Sequence, residues 1–183
     1  MKKGHNIAMT DKLTPIQRHL NMAAIHAKDT KPEMVVRKWL HSNGFRYRLN
    51  HPRLPGKPDI VLRKYRTCVF VNGCFWHGHN VGHCAENSDF VSSDCCKIPS
   101  KNRDFWVNKI VRNKQRDVRV IEELKSMGWN CITVWECQLK TKKQREITLI
   151  DLLAEIRGRG YVYEEEVPMS IAADDEEGYN CQY

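Results

Sequence analysis

Six consecutive residues, Cys74-Phe75-Trp76-His77-Gly78-His79, hold two kinds of soft metal ligand, two large aromatic rings and a potential proton acceptor. No ordinary core segment needs that mixture, so the fold around it has to present these side chains rather than simply bury them. Two short apolar runs come before it, Asp59-Ile60-Val61-Leu62 and Cys68-Val69-Phe70-Val71. Runs of this kind, joined by the basic turn Arg63-Lys64-Tyr65-Arg66, read as central strands. The first begins on an acid, Asp59 after Pro58, and the second leads into the Cys/His segment. That order sets an oxygen ligand for a hard cation beside soft ligands for zinc, on a surface able to stack bases.

The remaining pattern supplies layers for this sheet. Thr14 to Ala27 predicts a short helix, with Pro15 at the first helical position after a threonine cap. A second helix is expected to open near Asp29 or Thr30, with Pro32 in its first turn, and to run to about Ser42, where Asn43-Gly44 stops it. Phe45 to Leu49 alternates apolar residues with Arg, the period of a half-exposed strand, and a turn follows at Pro52 to Gly56. Residues 80–100 read as a Cys/Ser/Asn-rich loop. From Asn102 to Met127 the pattern is helical: Phe105, Ile110, Val111, Val118, Ile121 and Leu124 share much of one face, and Gly128 ends it. Asn130 to Trp135 is a β-branched strand, and about Arg145 to Arg157 a last amphipathic helix closed by Gly158 and Gly160. Helices before, between and after three or four strands make an α/β sandwich around a mixed sheet.

At 183 residues the chain suits one well-buried domain. We place it at residues 14–160, between a polar, aperiodic arm over 1–13, expected to be flexible, and a tail over 161–183 that is too acidic to pack. The chain carries 30 basic and 22 acidic side chains, net +8, but seven of the acids and none of the bases lie beyond residue 159, leaving the first 159 residues at +15. Such a body attracts a polyanion, and nucleic acid is the obvious one. No apolar stretch is long enough to span a bilayer and no export signal is evident, so a cytoplasmic protein without a membrane partner is expected. Eight cysteines interleaved with histidines, in a chain larger than most disulfide scaffolds, favour metal binding over disulfides.

Hydrolysis of a phosphodiester calls for a hard cation, and Asp59 is the carboxylate placed to hold one. Glu33 falls in the first turn of the second helix, where the helix dipole favours an acid. His77 can serve as a base near neutral pH, better so with a carboxylate to orient it. Asp117, in Lys114-Gln115-Arg116-Asp117, reads on its own as a solvated helix residue. Cys74, His79, Cys84 and Cys137 can supply four tetrahedral zinc ligands, with His83, Cys95 and Cys96 as competitors, whereas Cys68 and Cys131 sit in apolar runs as small hydrophobes. Phe75, Trp76 and Trp106 are candidates to stack on or wedge between bases.

Taken in order, Asn21-Met22-Ala23-Ala24-Ile25, Leu54-Pro55-Gly56-Lys57-Pro58-Asp59, Gly73 to His79, Phe105 to Ile110, Arg116-Asp117 and Trp135-Glu136-Cys137 resemble the very short patch repair endonucleases. These bacterial enzymes nick DNA beside a T·G mismatch left by deamination of 5-methylcytosine. The resemblance covers roughly Gln17 to Lys140 and implies a restriction-endonuclease-like fold with catalytic magnesium and structural zinc. It implies that Asp59 and the main-chain carbonyl of Val71 hold magnesium, that Glu33 and His77 orient and deprotonate the attacking water, and that Asp117 supports them. Phe75, Trp76 and Trp106 would wedge beside the mismatch from the major groove, with Met22 entering from the minor groove. Cys74, His79 and Cys137 would bind zinc. Duplex DNA with a T·G mismatch would be the partner of a monomeric enzyme, with mismatch-repair proteins as further partners. The chain departs from the family at Asn72, where several members have a histidine or aspartate, which puts an uncharged side chain in the expected catalytic group. The loop after His79 is also longer than usual, leaving the fourth zinc ligand between Cys84, Cys95 and Cys96, with Cys84, nearest to His79, as the expected one.

Overall fold

The computed structural model of the chain describes residues 14–23, 28–83, 90–91 and 93–159. The arm at 1–13 and the tail from 160 onward, with Gly160, lie outside them, as do residues 24–27 of the first expected helix. Two units result, residues 1–31 and residues 32–183, and each is described by itself. In the first, helix α1 (Pro15–Ala23) opens on a reciprocal cap. The Gln17 N–H donates to Thr14 Oγ1 at 3.2 Å and the Thr14 N–H to Gln17 Oε1 at 2.9 Å, so two of the N–H groups a helix start leaves orphaned are satisfied.

The larger unit is built on a four-stranded sheet of order β1-β2-β3-β6. Its strands are β1 (Arg48–Leu49), β2 (Ile60–Leu62), β3 (Thr67–Asn72) and β6 (Asn130–Trp135). β1, β2 and β3 pair antiparallel, and β3 pairs parallel with β6 from Thr67↔Asn130 to Asn72↔Trp135, so the sheet is mixed as expected. Alternation along the strands divides two cores. Ile60, Leu62, Val69, Val71, Ile132 and Val134 face α2 (Lys31–Ser42) and α5 (Lys142–Arg159), where Val36, Leu40, Leu149, Leu152 and Ile156 complete the packing. Val61 and Cys68 face the other way, toward Leu124 and Val120 of α4 (Arg103–Ser126), with Cys131 in register beside Cys68. No helix among the described residues is long and apolar enough to cross a membrane.

Three segments differ from the sequence expectation. The strand expected over Phe45–Leu49 pairs only at Arg48–Leu49. Phe45 instead closes α2, its N–H donating to the Leu40 carbonyl at 3.0 Å, and buries its ring 5.1 Å from that of Tyr65, which pulls the backbone off the sheet edge. The loop over 80–100 contains a small hairpin, β4 (Gly82–His83) with β5 (Phe90–Val91), and a bridge between Ser93 and Cys96. The last helix starts earlier, because the Thr141 hydroxyl accepts from the Gln144 N–H at 3.3 Å and caps it, and it continues through Gly158.

On α4 the expected apolar face is only partly used: Ile110 and Leu124 are buried, while Phe105 and Val118 are 58% and 54% exposed. A helix of 24 residues is roughly 36 Å long and outruns the sheet. Its C-terminal half packs on the strands, and Ile110 packs instead on Val81, Cys96 and Ile98, forming a satellite core beneath the Cys/His segment.

Candidate active site and metal centre

Asp59 ends the turn that feeds β2, and its Oδ2 accepts the Val71 N–H at 2.8 Å. Burial is the main effect raising its pKa above the ordinary 3.8; the Val71 N–H and the charges of Arg37 and His77 oppose the rise, and that of Glu33 adds to it. Glu33, Arg37 and His77 therefore all lie within electrostatic range of this carboxylate. Glu33 is no ordinary solvated helix-start acid. It is 3% exposed, one turn before Arg37, which is 4% exposed and donates from Nη2 to Glu33 Oε2 at 2.6 Å. Arg37 was not singled out from the sequence, although the Glu-to-Arg spacing of four was its signal.

β3 leads through Gly73 into a single helical turn, α3 (Cys74–His77). The turn closes at Gly78, which has φ +61, and a Cβ there would come within 2.5 Å of Ile110 Cγ2, so only glycine fits without displacing α4. Four residues of α4 spaced as one helical face hold this segment: Ile110 beneath Gly78, the Asn113 amide donating to the Trp76 carbonyl at 2.8 Å, Lys114 Nζ donating to the Val81 carbonyl at 2.6 Å, and Asp117. Asp117 Oδ2 lies 2.6 Å from His77 Nδ1, so the residue that reads locally as solvated is half-buried and paired. Burial alone would raise the Asp117 carboxyl, but the hydrogen bond and charge of His77, with those of Arg116 at 3.0 Å, hold it below its ordinary value. With Nδ1 engaged by a carboxylate, Nε2 is the ring nitrogen left available for proton transfer.

Cys74, His79, Cys95 and Cys137 bring their ligand atoms within 4.8 Å of one another. His79 Nδ1 lies 3.2 Å from Cys95 Sγ, 3.3 Å from Cys137 Sγ and 3.9 Å from Cys74 Sγ. Bond lengths of about 2.3 Å to sulfur and 2.0–2.1 Å to nitrogen put tetrahedral N···S edges near 3.6 Å, so the four atoms have the dimensions of a zinc site. The surroundings agree. Burial pushes the Cys74 thiol up to about 12, so a cation among the sulfurs would be needed to hold it as thiolate, while the Ser93 hydroxyl holds Cys95 below its usual value. Burial, and then the charge of Lys114, lower the His79 pKa and favour the neutral imidazole that a metal requires, and Trp135 stacks on its ring at 4.2 Å. Cys95, one of the competitors the sequence offers, is the fourth member of the cluster among the described residues; Cys84 itself lies outside them. Cys96 turns away, its Sγ 3.8 Å from the Phe75 carbonyl.

Between Cys74 and His77 on α3 stand Phe75 and Trp76, both half-buried. Their ring centroids are 5.2 Å apart, and Trp106 of α4 lies 5.2 Å from Phe75 and 6.1 Å from Trp76. The three expected wedge residues thus form one cluster with part of each ring in solvent. Phe105, assigned from the sequence to the apolar face of the helix, belongs to the same cluster, 5.2 Å from Trp106, and Lys109 Nζ caps Trp76, Trp106 and Phe105 at 5.4, 5.7 and 5.9 Å. Helical periodicity could not separate a ring facing a core from one facing solvent. Asn72 ends β3 opposite Trp135, half-buried. Met22 falls on α1 in the other unit.

Residues 10–84 match the family model described as DNA mismatch endonuclease Vsr. The chain is 47% identical over 151 residues to the type II nicking enzyme V.NmeAIP of Neisseria meningitidis, a match covering 81% of this chain and 98% of that protein. It is 39% identical over 148 residues to the type II nicking enzyme V.XorIIP of Xanthomonas oryzae, covering 79% and 98%. To the DNA mismatch endonuclease Vsr of Escherichia coli it is 36% identical over 136 residues, covering 74% and 80%.

Proposed function

This chain belongs to the DNA mismatch endonuclease Vsr family, and we propose that it nicks one strand of duplex DNA beside a T·G mismatch arising from 5-methylcytosine deamination, so initiating very short patch repair. The reading is carried by one observation, the 2.6 Å His77–Asp117 pair within electrostatic range of the Asp59 carboxylate and adjoining a partly exposed aromatic cluster. Asp59 and the Val71 carbonyl are the donors for magnesium. Continuing the β2–β3 register, Ile60↔Val69, by two residues sets Val71 opposite Pro58, which has no N–H to give that carbonyl. A carboxylate beside a main-chain carbonyl suits a hard cation, which when bound would polarise the scissile phosphate and acidify water.

The protein's own groups do the rest. His77 Nε2 takes the proton of the attacking water while Asp117 fixes the ring, and Glu33, set by Arg37, orients that water. Asn72 offers a hydrogen bond without charge. Phe75, Trp76 and Trp106 enter the stack where a mispair has already weakened it, and Met22 enters from the opposite groove. Cys74, His79, Cys95 and Cys137 hold zinc and keep α3 in place.

The test is nicking of matched and T·G-containing duplexes in magnesium. Preferential cutting of the mismatched strand, lost in Asp59→Ala while DNA binding persists, is the expected result; equal cutting of both duplexes would remove mismatch selectivity from the proposal. A second reading is favoured by the names of the Neisseria and Xanthomonas relatives, type II nicking enzymes: an enzyme that nicks matched duplex at its own recognition sequence. The same assay separates the two.

A further inference from the structure

Six non-glycine residues among those described have positive φ: Asp29, Asn50, Lys57, Arg66, Asn80 and Asn102. Four are Asp or Asn, whose short polar side chains tolerate that region. Arg66 has a structural return for it, donating to the Met127 and Gly128 carbonyls and lying over the Trp129 ring at 5.3 Å. Lys57, at φ +48, has none. Its side chain is exposed and makes no hydrogen bond or ion pair among the described residues. It stands two residues before Asp59.

The backbone that holds Lys57 in this conformation is clamped on both sides. Gly56, at φ +69, lies so close to α4 that a Cβ would sit 2.4 Å from Val120 Cγ1, and Pro58 on the other side is fully buried. The Lys57 N–H is tied to the Leu54 carbonyl at 3.1 Å, and Leu54 is itself buried against Leu124. A residue kept in an unfavoured conformation by its neighbours, with an unused cationic head, marks function rather than folding need. Two residues span at most about 7 Å, so the ammonium can reach the phosphate bound at Asp59 or the one next to it.

We propose that Lys57 is a phosphate-contacting residue of the nicking reaction, presented on a rigid, strained turn to grip the DNA backbone beside the scissile bond. The assignment rests on the DNA-nicking reading, and its test is arranged so that the two fail separately. Lys57→Asn and Lys57→Gly remove the charge and suit the left-handed backbone; Lys57→Arg keeps the charge. Binding to a T·G duplex without divalent metal is measured across a salt series, together with Tm. The Asn and Gly variants are expected to keep Tm at or above wild type, to bind about three- to tenfold more weakly, and to show a log–log salt slope shallower by about one, while Arg keeps the wild-type slope. An unchanged slope in Asn and Gly overturns the assignment, as does a lowered Tm in both, which would make the side chain a stabilising one. A wild-type protein that binds duplex but nicks none sinks the nicking reading while the slopes still decide whether Lys57 grips phosphate; one that binds no duplex sinks both.

Discussion

At the scale of single residues, the Asp59 carboxylate is held at a cost to the fold. Burial and the nearby Glu33 charge both disfavour ionised Asp59. Its pKa in the folded state is raised above the unfolded 3.8, so the fold is favoured while the group is protonated and loses that advantage as pH rises through the folded value. Asp59→Asn should therefore raise the Tm of the metal-free protein at neutral pH and abolish nicking. The Tm gap should narrow toward the most acid pH at which the fold survives; thermal melts across pH check the trend, and a gap that widens on acidification contradicts it. Much of this group was legible in the sequence: an acid at the start of a buried run, a histidine in a segment unsuited to a core, a glutamate in a first turn. Arg37 and the partner of His77 were less so. A helical residue's neighbours depend on what packs across from it, and Asp117 becomes intelligible only once Ile110, Asn113 and Lys114 are seen on the same face against α3.

Among the elements, the turn α3 has the densest duties, with Cys74 at its first position, His77 at its last and the two rings between. The fourth member of the cluster could not be read from spacing, because the position of Cys95 is set by the Ser93–Cys96 bridge, which spacing does not show. Cys95→Ser should lower bound zinc well below one equivalent, whereas Cys84→Ser should leave it near one, as measured by metal analysis after dialysis. Retention of a full equivalent in Cys95→Ser would remove Cys95 from the set. The rings make a separate prediction. Phe75→Ala with Trp76→Ala should reduce the ratio of T·G to matched-duplex binding by roughly tenfold or more, since base–aromatic contacts are worth about 1–3 kcal/mol each, while the salt dependence stays near that of wild type. Competition binding decides it, and an unchanged ratio argues against the wedge. The long helices and central strands were readable because their periods are long or their runs buried. The edge strand failed because Phe45 had a better use closing α2.

Across the whole molecule, the mixed sheet and its two helical layers followed from pattern. The division of α4 between two cores did not, because it depends on the length of the helix relative to the sheet. One arrangement has a consequence for how the protein assembles. β3 and β6 are parallel neighbours, so everything from Gly73 to Trp129 is an excursion that leaves the sheet and returns to it. Cys74 and Cys137 stand just past the ends of those two strands and meet in the same cluster. A metal gripping both acts as a buckle across the mouth of the excursion, and a cross-link of that span removes about 4 kcal/mol of closure entropy by the chain-entropy relation. Refolding from denaturant should accordingly be faster with stoichiometric zinc than with chelator, as followed by stopped-flow fluorescence. With the buckle fastened, the slowest pairing in the fold becomes a meeting of near neighbours, and the metal sets the tempo of assembly as well as the strength of its product.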